Sequence, residues 1–345
     1  KIHHETGSLI CWRLLYAFRR PSGANQPGTM NVPYLTRRLL YGLPLILGVT
    51  FISFLLMVYF GPDKTYELIG KNPSAEQIRE VRHALGYDRP FLLRYADYVK
   101  ELVTMDLGLS ESTGEPVSLI LKRTLPISMA LVIPGFILGN LLGLALGLLA
   151  AWHRGKWLDK FIMGSSVVGM SVSFLVIIIG LQILLCTPYG LNLFPVRGWQ
   201  VHDAGSYFYH VTVPTLALIL VTLGYNTRFY RAVMADEIER DHIRTLKAYG
   251  ASPAELLFKH VLKNSLIPVL TRIMFSIPFV LISGSLLLES YFGIPGVGLV
   301  TFNAITSGDQ PILKAVIGLT GVLFVVALTI NDMLYGMVDP RITKP

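Results

Sequence analysis

Charge is scarce in this chain. Only 15% of its 345 residues are Asp, Glu, Lys or Arg, against 52% apolar, where a water-soluble protein carries about 25% charged residues. With a mean hydropathy of +0.53, the scarcity excludes a soluble globular domain and points to a membrane protein. Cysteine is nearly absent too. Cys11 and Cys186 fall on opposite predicted sides of the bilayer, which excludes a disulfide framework or a thiolate metal site within the chain. No HExxH, GxSxG or G-x-x-x-x-G-K-[ST] pattern occurs, so the sequence offers neither a hydrolytic centre nor a Walker-type ATP site, and no cofactor or metal is expected in the chain itself. Carboxylates and histidines do not line the middle of the apolar segments, which argues against a proton or sodium relay. The net charge of +8 does not signal nucleic acid, because the basic residues flank apolar segments instead of clustering beside stacking aromatics.

Apolar length is what the chain has. A spanning helix needs about 20 mostly apolar residues, and six segments qualify: 38–60, 126–152, 161–187, 211–234, 266–291 and 312–337. The expected fold is an all-α polytopic membrane protein with six transmembrane helices. Lys and Arg in the short connections set the sides. Arg154, Lys156 and Lys160 occupy one connection, Arg37 and Arg38 precede the first helix, and Arg244, Lys247, Lys259 and Lys263 lie between helices four and five. The alternate connections hold only Arg197 or none. The N-terminal tail (1–37), the 151–160 loop, the 235–267 insert and the C-terminal tail (338–345) are therefore predicted to be cytoplasmic, with residues 61–125 outside. The first apolar segment is followed by no small-residue cleavage site and reads as an uncleaved first helix. Residues 1–29, with the stretch "LICWRLLYAF", read either as a surface segment or as an extension ahead of Met30.

The 61–125 loop carries its own helix signals. Asn72-Pro73-Ser74 with Gln77 makes a helix start, and Leu92, Tyr95, Val99 and Leu102 have helical apolar spacing. A small helical subdomain is expected there. Inside the second span, Gly135, Gly139, Gly143 and Gly147 recur every fourth residue and share one face, which reads as a close helix-packing seam, with a smooth channel-lining stripe as the alternative. Arg272 lies near enough to the cytoplasmic end of span five to snorkel, and Glu289 and Asp332 are expected at interfaces. Asn140 and Gln182 are the deepest polar groups, with interhelical hydrogen bonding as their expected role.

The polar stretch "RTLKAYGASPAELLFKHVLKNSLIP", residues 244–268, interrupts this pattern. Ser252-Pro253-Ala254-Glu255 is a helix start, with a serine cap, proline at the first helical position and glutamate at the third, able to bond back to the cap. Gly250 sits where a preceding helix ends in a left-handed residue. A helix over roughly 234–249 is thus predicted to be followed by a tight glycine turn and a second helix leading into span five. The first helix would show Asp236, Glu239, Arg240, Arg244 and Lys247 to the cytoplasm. The insert reads as a solvated loop or as a rigid lever joined to helices four and five.

This hairpin resembles the "EAA" loop of ATP-binding cassette importer permeases, with Arg244-Thr245 in place of Glu-Ala as in the oligopeptide/dipeptide/nickel class, then Gly250 and "KNSLIPV". Leu246 and Tyr249 depart from the usual small and basic residues. The resemblance to the B-type permease of that class extends over "YLTRRLLYGLPLILGVTFISFLL", "LGYDRPFLLRYADYV", "DLGLS", "LFPVRGW", "ESYFGIPGVG" and "DPRI", while "FGPD" replaces the usual Pro-Gly-Asp-Pro. It implies a type I importer fold in the bacterial inner membrane and a peptide or peptide-like substrate. The implied partners are a second homologous permease, two cytoplasmic ATPases holding ATP and magnesium, and an extracytoplasmic solute-binding protein. Asp241, Arg244, Thr245, Lys247, Gly250, Ala251, Ser252, Pro253 and Glu255 are then the expected ATPase-coupling residues. The competing reading from the residues alone is a self-sufficient secondary transporter, against which the lack of repeats and midplane charges counts. An intramembrane enzyme is disfavoured by the lack of a paired nucleophile and base.

Overall fold

The computed structural model describes residues 32–60, 65, 74–84 and 86–338. The stretch 1–29, Cys11, the "GPD" that ends "FGPD", Asn72, Pro73 and the C-terminal "DPRI" lie outside the described residues. The chain is all-α, and its order is α1 (Val32–Phe60), α2 (Ala75–Ala84), α3 (Phe91–Thr104), α4 (Val117–Trp152), α5 (Trp157–Ser171), α6 (Phe174–Cys186), α7 (Ala204–Ile238), α8 (Asp241–Ala248), α9 (Pro253–Phe292), α10 (Val297–Ser307) and α11 (Gln310–Val338). Five of these are long and apolar enough to cross a membrane, and α5 with α6 makes a sixth, bent span.

Helices α4 and α7 form the central pair, and glycine spacing sets how they meet. Opposite Gly135, Gly139, Gly143 and Gly147 stand Leu218, Thr222, Asn226 and Tyr230, a second ladder with the same four-residue step. A Cβ on Gly143 would lie 2.7 Å from the Asn226 Cβ, and one on Gly147 2.9 Å from that of Tyr230. Glycine is therefore required for this approach, and the stripe is a packing seam rather than a channel lining. One polar rung crosses the seam: Asn140 Oδ1 accepts from Tyr230 Oη at 2.6 Å and Asn226 Nδ2 at 3.2 Å. This is the interhelical role expected of Asn140. Gln182 behaves differently, donating to the Val196 carbonyl at 2.7 Å in the turn beyond its own helix.

Several spans are longer than their apolar cores. Helix α4 begins at Val117, not at residue 126, because Val117, Ile120 and Thr124 are buried on its first turns, with Val117 and Ile120 packed on Val297, Ala304 and Ile312. Such half-polar turns fall outside a hydropathy window. Helix α7 starts at Ala204, where Asp203 accepts from the Ser206 amide at 2.9 Å and Ser206 Oγ accepts from the Asp203 amide at 3.0 Å. The third span is not one helix over 161–187. It bends by 95° between α5 and α6, where Val172 and Ser173 are both extended in a Ser-Val-Ser run of weak helix formers.

Two expectations are corrected at this end of the molecule. Glu289 is not interfacial: it is 0% exposed, and its Oε2 accepts from the Leu299 amide at 3.0 Å, at the start of α10. The connection that holds α10 folds back over the end of α9, which shields the carboxylate from water. In the 61–125 loop, Ser74 and Gln77 form the expected reciprocal cap at 3.0 and 3.2 Å. The packed face of α3, however, runs through Phe91, Tyr95 and Tyr98, not Leu92, which is exposed. Phe91 and Tyr95 are set edge-on to Phe51, and Tyr98 stacks on Phe54. Aromatic contact with α1 decides the face, and spacing alone cannot tell neighbouring registers apart. Asp309 then ties the loop to α11. It accepts from Ser110 Oγ at 2.6 Å and from the Ser112 hydroxyl and amide at 2.8 and 3.0 Å.

Candidate coupling hairpin and adjoining cleft

The polar insert folds as a helical hairpin, though its first arm is shorter than expected. Helix α7 ends at Ile238, and α8 covers only Asp241–Ala248, because Arg240 takes an extended conformation (φ −66°, ψ 148°). Met234, predicted to open this arm, is fully buried inside α7. The break is held by Glu237. This nearly buried carboxylate meets Arg240 Nε at 2.9 Å and His242 Nε2 at 3.3 Å, and accepts from Asn264 Nδ2 at 2.8 Å. Glu237 thus joins α7, α8 and α9 at one point. Sequence reasoning missed both Glu237 and Asn264, since only the fold brings them together across 27 residues. Arg154, in the α4–α5 connection, pairs with Glu239.

The turn follows from Gly250. Its φ is +84°, a conformation that costs other L-residues about 1–2 kcal/mol. With it, the Ala251 amide donates to the Leu246 carbonyl and the Gly250 amide to that of Lys247, both at 3.1 Å. These two bonds are a Schellman end, which satisfies carbonyls left open at the end of α8. Two residues on, Ser252 Oγ accepts from the Glu255 amide at 3.2 Å with Pro253 at the first helical position. The second half of the expected capping box is absent. The Glu255 carboxylate turns instead to Lys259 Nζ at 3.1 Å, one turn ahead. Next comes a π-helical turn over Leu256–Leu262, and the helix continues without a break into the fifth span, 40 residues in all. The helix that carries the fifth span therefore begins in the hairpin, ahead of the apolar segment that starts at residue 266.

One face of the hairpin is anchored and the other is open. Ile243, Leu256 and Val261 are buried with Leu148, Ala151, Tyr230, Met234 and Val269 from the ends of α4, α7 and α9. Asp241, Arg244, Thr245, Lys247, Gly250, Ser252, Pro253 and Glu255 are all exposed, and Ala251 is half-buried. Tyr249, 86% exposed, and Phe258, 64% exposed, are two further open aromatic rings on the hairpin. Large aromatics left open beside charges are what a protein partner buries at an interface core. Among the described residues, no group of three or more His, Cys, Asp or Glu side chains is placed to hold a metal ion.

Between α7 and α9 lies an open cleft of about 510 Å³, lined by Phe229, Pro268, Thr271, Arg272, Phe275, Ser276 and Phe279. Arg272 packs against one wall of it. Its guanidinium lies 4.9 Å from the centre of the Phe229 ring, and its Nε is buried without a partner.

An all-α core with a broken third span and a surface-exposed hairpin is the architecture of a multi-pass membrane protein. The chain belongs to the family described as "Binding-protein-dependent transport system inner membrane component", whose model matches residues 143–344. The model of its N-terminal companion, "Binding-prot-dependent transport system membrane comp, N-term", matches residues 31–132. Among its relatives is the "Dipeptide transport system permease protein DppB" of Lactococcus lactis subsp. cremoris, 35% identical over 90% of this chain and 99% of the relative. The "Probable peptide ABC transporter permease protein y4tP" of Sinorhizobium fredii is 30% identical over 90% and 98%. The DppB of Bacillus subtilis is 30% identical over 90% and 97%. The chain is thus an inner-membrane, multi-pass permease of the ATP-binding cassette importer type.

Proposed function

We propose that this chain is one of two translocation subunits of an ATP-driven importer for peptides or peptide-like solutes. In this reading the hairpin from Asp241 to Glu255 docks on a cytoplasmic ATPase and passes its closure on ATP to α7 and α9. The observation that carries the reading is the hairpin itself, an exposed polar and aromatic face on a turn fixed by Gly250, rigidly rooted through Glu237 and Asn264 and continuous with the fifth span. A rigid element joined to spanning helices can bias a two-state pathway, and an ATPase preference of a few kcal/mol for one state suffices. The peptide class is supported by relatives named for peptide and dipeptide transport that align over nearly their whole length. The N- and C-termini are cytoplasmic in this arrangement, on the hairpin's side.

Purification from native membranes tests the proposal. The chain should carry with it a second permease and two ATPases, and loaded binding protein should stimulate ATP hydrolysis by the complex. Stoichiometric peptide uptake by the isolated chain under a proton gradient would instead establish a secondary transporter.

A further inference from the structure

Arg272 carries a guanidinium that the described residues leave without an acceptor. Arginine stays protonated at any physiological pH, and a charged residue within a membrane span is held there at a cost unless something pairs with it. Among the described residues, no carboxylate pairs with Arg272 and no side chain or carbonyl accepts a hydrogen bond from it. Phe229 covers one face of the guanidinium, which stabilises the cation but leaves its in-plane donors uncommitted. Of the two hydroxyls beside it, Thr271 donates to the Ile267 carbonyl at 2.7 Å and also meets the Tyr335 hydroxyl, and Ser276 donates to the Ile273 carbonyl at 2.8 Å; neither accepts from Arg272. The guanidinium is therefore the one strong donor in the cleft without an acceptor.

The surroundings restrict what that acceptor can be. The cleft, about 510 Å³, lies in the range of small-molecule sites. Phe275 and Phe279 stand exposed along it, 44% and 62% accessible. Arg272 lies about 30 Å along α9 from Phe292, roughly one hydrocarbon thickness at about 1.5 Å per residue. The cleft thus opens at the hairpin-side end of the span. A planar donor fork beside aromatic walls matches a carboxylate carried on an apolar body.

We infer that the Arg272 cleft is a transient binding site for the carboxylate of a peptide-like solute at the hairpin-side mouth of the pathway, with Phe275 and Phe279 taking its apolar side chains. The inference rests on the peptide-import reading above. A lipid phosphate offers the same oxyanion chemistry, and a carboxylate of the second permease could also face the cleft, so the experiment separates all three.

The complete importer, with both permeases, the ATPases and the binding protein, is reconstituted in vesicles. Uptake is compared for one hydrophobic dipeptide and its C-terminal amide, each normalised to the fraction of binding protein loaded. Wild-type protein that takes up neither compound refutes the peptide reading itself. Given wild-type uptake, Arg272→Gln should lower the acid-over-amide preference about tenfold, the loss expected for one hydrogen bond to a charged group. Arg272→Lys, which keeps the charge and loses the fork, should lower it about threefold and serves where the glutamine variant does not assemble. An unchanged preference in both variants overturns the site. So does a drop in uptake that is equal for acid and amide. If that equal drop appears only in vesicles containing phosphatidylglycerol, the occupant is a lipid headgroup; if the second permease no longer copurifies, it is an interface carboxylate.

Discussion

Arg231 grips Asp159 with two hydrogen bonds, Nε to Oδ1 at 2.5 Å and Nη2 to Oδ2 at 2.7 Å, and so fixes α5 against α7. The carboxylate is also held from behind, since Asp159 Oδ2 accepts from the Gly155 amide at 2.9 Å. The pair has an Asp side chain only 5% exposed and an Arg side chain 24% exposed, so removing one partner strands a charge rather than releasing it to water. Asp159→Asn and Arg231→Gln should each destabilise the detergent-solubilised protein by about 3 kcal/mol, with the double variant well short of the sum. Thermal unfolding of the four proteins gives the coupling, and strictly additive losses would show that the pair is not a unit.

The glycine ladder predicts a positional contrast. Gly143→Val places a branched side chain on the Asn226 Cβ and should cost about 1–3 kcal/mol of stability by overpacking. Gly164→Ala, where nothing lies within 4 Å of the new atom, should be neutral or slightly stabilising in the same unfolding assay. Equal effects at the two positions would contradict the seam.

At Gly250 the strain is in the backbone, since an added Cβ would meet nothing within 4 Å. Gly250→Val should therefore abolish substrate-stimulated ATP hydrolysis by the assembled importer while leaving membrane insertion intact, because valine at φ +84° costs about 1–3 kcal/mol. Gly250→Asn, which tolerates that conformation, should retain most of the stimulation. Stimulation by the valine variant at the wild-type level would refute the role of the turn in coupling.

Asp309 predicts a pH dependence. Burial pushes its carboxyl up, but the hydrogen bonds from Ser110, Ser112 and the Ile312 amide outweigh that and hold it below the ordinary carboxylate value. A carboxyl depressed in the folded state stabilises it above the unfolded value of about 3.9 and loses that contribution as pH falls through the folded value. Asp309→Asn should accordingly lower the melting temperature at pH 7, and the gap to wild type should close as the solution is acidified below about pH 4. A gap that stays constant across that range would mean the carboxylate charge is not what anchors the loop.

How much of this was legible depended on the range of the interactions. The Gly250 turn and the Ser252 cap could be read because both are closed by bonds within six residues. The glycine seam was readable as a stripe, but its partners Leu218, Thr222, Asn226 and Tyr230 were not, since they appear only when α7 is laid alongside. Glu289 was misjudged because the groups that bury it belong to α10, a helix short enough to pass as a loop. The Arg240 break gave no Gly or Pro signal. It is set by Glu237 reaching across to Asn264, a contact with no trace in local sequence.

In the proposed coupling, the continuous helical path of α9, through π-helical turns at Leu256–Leu262 and Val280–Gly284, acts as a gearing. Its 40 residues amount to about 60 Å of helix, at about 1.5 Å per residue, from Pro253 at the hairpin to Phe292 beneath α10. Tilting such a rod by a single degree about its hairpin end swings the far end by about 1 Å. The Phe292 carbonyl is bonded to the Gly198 amide at 2.7 Å and the Ser290 carbonyl to Arg197 at 3.2 Å, so the connection between α6 and α7 travels with it. In the coupling proposed above, a small displacement at the hairpin is thereby magnified at the far end of α9.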